Sequence, residues 1–592
     1  MSIPRPEHPR PDFERKTWIN LNGEWQFEID NAKSGLEKGW SSGKDFSRRI
    51  IVPFPPESAL SGVGEKDFME SVWYRRFFSV PDEWLDGRIL LHFGAVDYKA
   101  TVWVNGHLAG AHKGGYSPFT FDITGLVKPG DNELVVWALD DCRSGLQPTG
   151  KQSHRLKSYG CLYTRVTGIW QTVWLEAVPR QYIDYFKVVA EPGSGSVFVE
   201  LHVGGDGGKY AVSAEIYDGG KMVAEAQTSS FKPLSHIYMS VPDARSWSPE
   251  DPYLYRLLLK LTSADGLTDE VSSYVGFREI RVSKNKILFN NQVRFLRLVL
   301  DQGYYPDGIY TAPSDDALRR DIELAKNMGF DGARLHQKVF EPRFLYWADR
   351  LGYLAAGEFP DWGADLSNAS ARDALLDEWI SIVRRDFNHP SIIIWTPFNE
   401  RSIDVNDHTC VEFIRRVVHL TKVIDPTRLV IDCSGWTHVS EEIDIYDVHD
   451  YEQKPEIFRS HYADLPKKTS EPLDLRGSQM NFLRNLPYKG QPFIVSEYGG
   501  IWWNPLEAKP GESWGYGERP KTIEEYVERY KALTESLLFN RDVSGFCYTQ
   551  LYDIEQETNG LYTFDRRPKV DPKMIWGINR QKASIEEDSA VS

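Results

Sequence analysis

The pattern of apolar residues changes once along this chain, near residue 283, and that change constrains the fold more than any other feature. Before it, short runs alternate apolar and polar residues and are separated by Gly, Pro, Asn and Asp, which is typical of antiparallel β-strands. After it, continuous apolar runs of strand length alternate with helical patterns. The sequence therefore predicts all-β modules followed by an α/β domain.

The all-β part divides into two predicted β-sandwiches, at residues 1–180 and 181–282. In the first, Asn105-Gly106 lies between the runs TVWV and HLAG and predicts a type I′ hairpin, because that turn needs positive φ at both central residues. The second begins after Val178-Pro179, and its strand-like runs at short spacing suit a seven-stranded immunoglobulin-like sandwich.

Residues 283–592 contain eight apolar runs of strand length, namely RFLRLVL, FDGARLH, YLAAGEF, SIIIWTPF, RLVIDCS, IYDVHD, PFIVSE and GFCYTQLY. Parallel strands that are buried on both faces have continuous apolar sequences of this kind. Eight such strands alternating with helices predict a (β/α)8 TIM barrel, whose active site lies at the carboxyl ends of the strands. The polar residues that follow each run are therefore the candidate functional residues.

The predicted barrel mouth is acidic and carries two histidines and one arginine. Its residues, in chain order, are Asp301, Arg334, His336, Glu358, Asp361, Asn399, Glu400, His449, Asp450, Tyr451, Glu497 and Tyr548. Glycoside hydrolysis needs two carboxyl groups beside the scissile bond. An asparagine directly before Glu400 can bind the hydroxyl next to the reacting carbon. Phosphate-binding glycine-rich loops and motifs such as HExxH do not occur in the sequence, so we expect a carbohydrate substrate, no metal and no cofactor.

Charge and cysteine usage restrict partners and compartment. With 69 Lys and Arg against 85 Asp and Glu, the net charge of −16 disfavours nucleic acid and anionic membranes. The sequence contains no run of 18 apolar residues and no apolar segment of a signal peptide near its start. Five scattered cysteines without a CxxC pair suit a reducing compartment. We expect a cytoplasmic protein, although a chain whose signal peptide had been removed would look the same; a homo-oligomer is compatible with these modules.

Several motifs together resemble glycoside hydrolase family 2, the group of β-galactosidases, β-glucuronidases and β-mannosidases. They are LNGEWQF at 21–27, FGAVDYKATVWVNGHLAGAHKGGYSPFTFDIT at 93–124, VTGIWQTVWLE at 166–176, WSPEDPYLYRL at 247–257, NHPSIIIWTPFNE at 388–400 and PFIVSEYGG at 492–500. The resemblance implies a jelly-roll sandwich at 1–180, an immunoglobulin-like sandwich at 181–282 and a catalytic TIM barrel at 283–592.

The same resemblance implies residue roles. Glu400 matches the general acid/base and Glu497 the nucleophile of a retaining enzyme, in which the two carboxyl groups lie about 5–5.5 Å apart. Asn399 matches the residue that binds the 2-hydroxyl, and Arg334 an arginine that keeps the nucleophile ionised. The remaining expected substrate contacts are Asp301, His336, Glu358, Trp362, His449, Tyr451, Trp502 and Tyr548.

The sequence restricts the identity of the sugar less than it restricts the type of reaction. Glucuronidases of the family bind the sugar carboxylate with an Asn-x-Lys element, and here the matching stretch is Asn559-Gly560-Leu561 without a lysine. Glucuronate and mannose are therefore less expected than a β-galactosidase-like activity. An α-L-arabinofuranosidase or β-D-galactofuranosidase is the main alternative. A sugar transferase and a non-catalytic carbohydrate-binding protein are further alternatives.

Overall fold

The computed structural model describes residues 3–404, 406–465, 486–505 and 513–587. Its elements form the predicted architecture: two antiparallel β-sandwiches followed by a parallel barrel. Within these ranges no helix is both long and apolar enough to cross a membrane. All five cysteines are free thiols in this structure.

The N-terminal sandwich packs a six-stranded sheet, in the order β3-β2-β4-β10-β7-β8, against a four-stranded sheet, β1-β12-β5-β9, with β6 and β11 paired separately. Its strands are β1 Trp18–Asn20, β2 Gly23–Ile29, β3 Arg48–Val52, β4 Ser71–Val80, β5 Arg88–Phe93, β6 Val96–Asp97, β7 Lys99–Val104, β8 His107–Lys113, β9 Phe119–Asp122, β10 Gly130–Leu139, β11 Gly168–Ile169 and β12 Val173–Val178. Apolar residues of both sheets, such as Phe27 and Leu175, share one core. Asn105 and Gly106 join β7 to β8 with φ of 52° and 77°, which confirms the predicted type I′ turn.

The second sandwich has the predicted seven strands, in sheets of order β13-β14-β17 and β16-β15-β18-β19. They are β13 Gln181–Ala190, β14 Ser196–Gly205, β15 Tyr210–Asp218, β16 Lys221–Ser230, β17 Leu234–Ser240, β18 Tyr255–Ser263 and β19 Thr268–Val275. A separate three-stranded sheet follows, made of β20 Ile280–Ser283, β21 Lys286–Phe289 and β22 Gln292–Val293. The domain boundaries drawn from the sequence stay predictions.

The barrel sheet has the order β28-β26-β25-β24-β23-β32-β31-β30, and the pairs between neighbouring strands are parallel. Every one of the eight predicted runs forms a strand; the fourth and fifth runs are each split in two. The strands are β23 Leu296–Asp301, β24 Gly332–Leu335, β25 Leu354–Glu358, β26 Ile392–Thr396, β27 Phe398–Asn399, β28 Leu429–Val430, β29 Cys433–Ser434, β30 Tyr446–Asp450, β31 Phe493–Gly499 and β32 Gly545–Thr549.

Helices surround these strands, and polar side chains directly before some of them cap their first turns. They are α1 Asp315–Asn327, α2 Pro342–Leu351, α3 Ala369–Asp386, α4 His408–Ile424, α5 Pro455–Tyr462, α6 Ile523–Leu538 and α7 Pro572–Asn579. The side chains of Ser314 and Thr522, for example, accept from backbone N–H groups at the starts of α1 and α6. The fifth and sixth barrel strands are joined without a helix, through residues 435–445, all of which are described.

The N-terminal sandwich lies against the barrel mouth. Tyr116 and Trp170 of the sandwich belong to the same apolar core as Tyr310 and other barrel residues. The backbone N–H of Thr149 donates to the carbonyl of Trp362 over 2.7 Å. The mouth is therefore built by two domains, which the strand pattern of the barrel alone does not indicate.

Candidate active site

Glu400 and Glu497 face one another at the carboxyl ends of the barrel strands. Glu400 follows β27, and Glu497 lies in β31 beside an irregularity of pairing between Val495 and Tyr498. A carboxylate oxygen of each lies within 4.8 Å of the other, and a ring nitrogen of His449 lies within the same distance of both. The irregular pairing beside Glu497 is typical of a β-bulge, which redirects a side chain at the end of a strand. The tertiary structure thus brings the two predicted catalytic carboxyl groups together.

The backbone of Glu400 is in the left-handed region, with φ of 48°. That conformation costs a residue with a Cβ atom about 1 kcal/mol or more and is found preferentially at functional sites. His449 holds the side chain, since its Nδ1 is 2.7 Å from Glu400 Oε1. Its Nε2 is 3.4 Å from Glu497 Oε1, so the histidine bridges both carboxyl groups.

Glu497 is surrounded by donors and positive charge. Arg334 Nη1 donates to its Oε1 over 2.8 Å, and the Tyr451 hydroxyl donates to its Oε2. Burial alone would raise the pKa of Glu497, but the charges of His449, when protonated, and of Arg334 lower it to about 2. Arg334 is charged at every pH of interest. Glu497 is therefore an ionised carboxylate over the whole working range of an enzyme.

Arg334 is itself fixed by its neighbours. Its Nε donates to Glu358 Oε2 and its Nη2 to Asn399 Oδ1, both over 2.6 Å. The bond to Oδ1 orients the Asn399 amide, and its buried Nδ2 group has no hydrogen-bond partner among the described residues. A buried donor without a partner is costly. The amide is thus free to donate to a substrate hydroxyl beside Glu400, the position that the sequence predicts for it.

Glu400, His449 and Glu497 are also a set of groups that could hold a metal ion. The residues around them fit a metal poorly. Both oxygens of Glu497 already accept hydrogen bonds, from Arg334 and Tyr451. A permanent cation 2.8 Å from one prospective ligand opposes a second cation there. The set is better suited to proton transfer and nucleophilic attack.

The other predicted contacts are distributed around this pair. His336 Nδ1 is 2.9 Å from Glu358 Oε1 and 3.9 Å from Glu497 Oε1, and burial lowers the pKa of His336, so the ring is neutral. Trp362 is half-buried and donates from Nε1 to the carbonyl of Asn399 over 3.0 Å. Trp362 therefore supports the backbone directly before Glu400.

Asp301 and Trp502 make their hydrogen bonds to residues other than the carboxyl pair. The Asp301 carboxylate is buried and accepts from Gly303 N over 2.9 Å and from the Tyr552 hydroxyl. Burial raises its pKa to about 6. Trp502 is half-buried and donates from Nε1 to Ser513 Oγ over 3.1 Å. Sugar contacts by these two residues stay predictions.

Tyr548 is misassigned by the sequence interpretation. Side chains alternate along a strand, and Cys547 belongs to the inner barrel core, so Tyr548 points outward. It is fully buried against α6, where its hydroxyl lies 3.2 Å from that of Tyr526. The next residue, Thr549, points inward, and its Oγ1 lies 3.1 Å from the Tyr451 hydroxyl. Counting the alternation from Cys547 would have identified Thr549.

Replacing Tyr548 by phenylalanine tests this correction. We expect turnover to stay within about twofold of wild type, because the ring packs against Tyr498 and Tyr530 and its hydroxyl faces that of Tyr526, on the outer side of the strand. The free energy of unfolding should fall by about 1 kcal/mol, since the buried Tyr526 hydroxyl loses its partner. Steady-state kinetics and urea unfolding measure the two quantities. A large loss of kcat with unchanged stability would show that Tyr548 does reach the substrate.

The sequence interpretation also missed several residues of the mouth. Lys151 and Tyr163 come from the N-terminal sandwich, and Glu557 from the segment after β32; the Tyr163 hydroxyl donates to Glu557 Oε2. Tyr516 stacks on Tyr451 with ring centres 3.5 Å apart. Nothing in the local pattern marks these positions, because they lie in loops outside the strand ends.

Replacing Arg334 by methionine removes the permanent charge beside Glu497. The pKa of Glu497 should rise, and since the nucleophile predicted at this position reacts only as a carboxylate, the acid limb of the kcat/KM profile should move to higher pH. We also expect kcat to fall by about 10²-fold. Profiles between pH 3 and 9 measure both effects, with Arg343→Met, which breaks an ion pair with Asp315 away from the site, as control. An acid limb that does not move would contradict this role.

Fold and site together define a glycoside hydrolase. Three domain models of one family match the chain in succession: "Glycosyl hydrolases family 2, sugar binding domain" at 19–146, "Glycosyl hydrolases family 2" at 181–278 and "Glycosyl hydrolases family 2, TIM barrel domain" at 311–575. The chain belongs to glycoside hydrolase family 2. The family resemblance drawn from the motifs is thereby confirmed.

Proteins that are similar to this chain over most of its length include several β-glucuronidases. A β-glucuronidase of Paenibacillus borealis is 24% identical over 94% of this chain and 96% of its own length. The β-glucuronidase of Mus musculus is 24% identical over 93% of this chain and 88% of its own. A structure of the Ruminococcus gnavus β-glucuronidase in complex with D-glucuronic acid superposes with a TM-score of 0.78 and 21% identity, covering 98% of this chain and 100% of that one.

These comparisons bear on the sugar. The relatives are β-glucuronidases, so the expectation of a β-galactosidase-like enzyme has no support from them. At 20–25% identity the likeness of the structures shows the shared fold alone. The homologues are enzymes of carbohydrates, in agreement with the expected substrate class.

Proposed function

We propose that this protein is a retaining exo-glycosidase that works by double displacement. The observation that carries the proposal is the pair of carboxyl groups, Glu400 and Glu497, with oxygens within 4.8 Å and His449 between them. Retaining enzymes place the two carboxyl groups about 5–5.5 Å apart, so that the nucleophile can form an ester with the sugar, whereas inverting enzymes place them about 6.5–9.5 Å apart. Oxygens of the two groups within 4.8 Å of each other agree with the shorter, retaining arrangement.

In the first step an oxygen of Glu497 attacks the anomeric carbon while Glu400 transfers its proton to the leaving oxygen. The C–O bond to the leaving group breaks and a glycosyl ester forms. Glu400, now a carboxylate, takes a proton from water while the water oxygen attacks the anomeric carbon. The bond between that carbon and the Glu497 oxygen breaks, which releases the sugar and restores the Glu497 carboxylate and the protonated Glu400. Arg334 keeps Glu497 ionised before the attack and stabilises its charge again when the ester bond breaks, and the unpaired amide of Asn399 is placed to hold the adjacent hydroxyl.

The walls of the mouth favour removal of a terminal sugar. The segment around Thr149 and Gly150 binds the barrel loop at Pro360 and Trp362, and Trp514 donates from Nε1 to the carbonyl of Gly160 over 2.6 Å. The N-terminal sandwich thereby closes one side of the cleft. A pocket that is closed on one side accepts a chain end more readily than the middle of a polymer.

The stereochemistry of the first product tests this mechanism. We would incubate the enzyme with nitrophenyl pyranosides and furanosides, including glucuronide, galactoside, mannoside, arabinofuranoside and galactofuranoside, and record proton NMR spectra during early turnover. The first sugar released should have the anomeric configuration of the substrate. Release of the opposite anomer would indicate an inverting mechanism. Binding of sugars without turnover of any glycoside would favour a carbohydrate-binding protein, and products lengthened by added sugar acceptors would favour a transferase.

A further inference from the structure

We propose that Lys151, presented at the barrel mouth by the N-terminal sandwich, is the specificity-determining cation that binds the carboxylate of a terminal uronic acid. This inference rests on the proposed glycosidase function and names its substrate class. Lys151 is 6% exposed, and its Nζ lies 3.8 Å from the centre of the Trp362 ring. Trp362 in turn donates to the carbonyl of Asn399, next to the acid/base residue.

The backbone before Lys151 is fixed on the barrel. The N–H of Gly150 donates to the carbonyl of Pro360 over 3.1 Å, next to the hydrogen bond from Thr149 to Trp362. Gly150 has φ of +55°, and a Cβ atom there would lie 2.3 Å from the carbonyl oxygen of Gln337. Only glycine permits this close approach. The lysine is therefore held over the mouth by a junction of two domains.

The backbone after Lys151 is fixed within the sandwich. Gln152 donates from Nε2 to Asp97 Oδ2 over 2.8 Å. The carbonyl of Lys151 accepts from the N–H of Tyr163 over 2.7 Å. Because both flanks are anchored, the ammonium group is placed before any substrate binds, which is the preorganisation that a binding residue needs.

Charge around the ammonium keeps it protonated. Burial alone would lower the pKa of Lys151, but the negative charges near it, those of Cys161 if ionised and of Glu400 and Glu497, raise the pKa. The structure records neither a hydrogen bond from Nζ nor an ion pair within 4 Å of it among the described residues. In the part of the chain that the structure describes, Lys151 is thus a buried cation whose three N–H donors have no acceptor.

The other cations near the mouth already have partners. They are Arg334 on Glu497, Lys338 on the carbonyls of Gly303 and Tyr310, Arg401 on Asp361, Arg566 on Asp321 and Lys569 on Asp553, all at 2.6–3.1 Å. Each of these side chains stabilises the fold or the catalytic carboxylates. Among these groups and Lys151, the lysine alone offers free donors to a ligand.

A carboxylate is the substrate group that matches such a cation. Leaving a buried charge without a partner is costly, and charge-assisted bonds to a carboxylate are about twice as strong as bonds to neutral acceptors. The sequence disfavours glucuronate because residues 559–561 contain no lysine. Lys151 supplies a lysine from a different domain. A structure of the Ruminococcus gnavus relative contains D-glucuronic acid, which makes this sugar class the first to test.

The test compares substrates that differ only at the sugar carboxylate. We would measure kcat/KM on nitrophenyl β-glucuronide and β-glucoside, and on β-galacturonide and β-galactoside. Wild type should favour at least one uronide over its neutral partner. Lys151→Met should lose about 10²-fold on that uronide and less than about threefold on the neutral sugar. Lys151→Arg should recover part of the loss. Lys128→Met, at an exposed lysine of the same domain, should change neither rate.

Each other result has a definite reading. Preference of wild type for neutral sugars, or an equal loss on both members of a pair in Lys151→Met, would overturn the carboxylate role while leaving the glycosidase function intact. Turnover of no glycoside by wild type would instead refute the proposed function, and calorimetry of glucuronate binding to wild type and Lys151→Met would then decide the role of Lys151. Should Lys151→Met fail to fold, Lys151→Gln, which keeps a polar N–H donor without the positive charge, takes its place.

Discussion

Replacing Glu497 by alanine should reduce kcat by at least about 10⁴-fold on every substrate that wild type turns over. The glycosyl ester cannot form without this carboxylate, which is the one that lies within 4.8 Å of both Glu400 and His449 in the set these three residues form. Direct attack by water on the sugar is much slower than attack by a carboxylate held in place. Steady-state kinetics with a sensitive fluorogenic glycoside measure the loss.

Azide gives this prediction a sharper readout. The space left by the Glu497 side chain admits a small anion, which can attack the anomeric carbon from the same face. A single displacement should then yield a glycosyl azide of inverted configuration, and added azide should recover part of the rate. Glu412→Ala, at an exposed glutamate of α4, is a control for expression and folding. Turnover near the wild-type rate in Glu497→Ala would contradict the assignment of Glu497 as the nucleophile.

Replacing Glu400 by alanine should produce the second largest effect, and one that depends on the leaving group. Dinitrophenyl glycosides need little proton assistance, so the first step should lose less than about tenfold. Glycosides with alkyl or sugar leaving groups should lose about 10³-fold or more, because their departing oxygen must be protonated. The ester should accumulate with activated substrates, since no base remains to activate water.

A burst of nitrophenolate followed by slow turnover would reveal that accumulation. Azide should accelerate the second step and release a glycosyl azide of retained configuration, opposite to the product expected from Glu497→Ala. Glu400→Gln is the matched variant. Its amide has the shape of the carboxyl group that lies 2.7 Å from His449, but it cannot donate a proton to the leaving group as an acid does. Equal losses on good and poor leaving groups would contradict the acid/base role.

The sequence predicts much of the fold because its patterns are local. Each of the eight apolar runs contains enough β-forming residues to form its own strand, and Asn105-Gly106 encodes its own turn. The sequence predicts Glu400 and Glu497 as catalytic candidates for the same reason. Glu400 directly follows a strand, Glu497 lies in one, and each belongs to a short motif of the family. The expectation that parallel strands bring their carboxyl ends together then places both at one mouth.

The same reasoning failed where a side chain's direction or a second domain mattered. Tyr548 lies at a strand end, but the alternation of the strand turns it towards α6. The case against a glucuronide depended on the absence of a lysine at residues 559–561, whereas a lysine of the N-terminal sandwich, Lys151, lies at the mouth.

Sequence by itself determined the three-part architecture and the two carboxyl groups, because periodicity and motif length act over a few residues. Only the tertiary structure decided that His449 and Arg334 converge on Glu497 and that Lys151 covers the mouth. These contacts join residues far apart in the chain, and their geometry follows from how sandwich and barrel pack, which no single segment encodes.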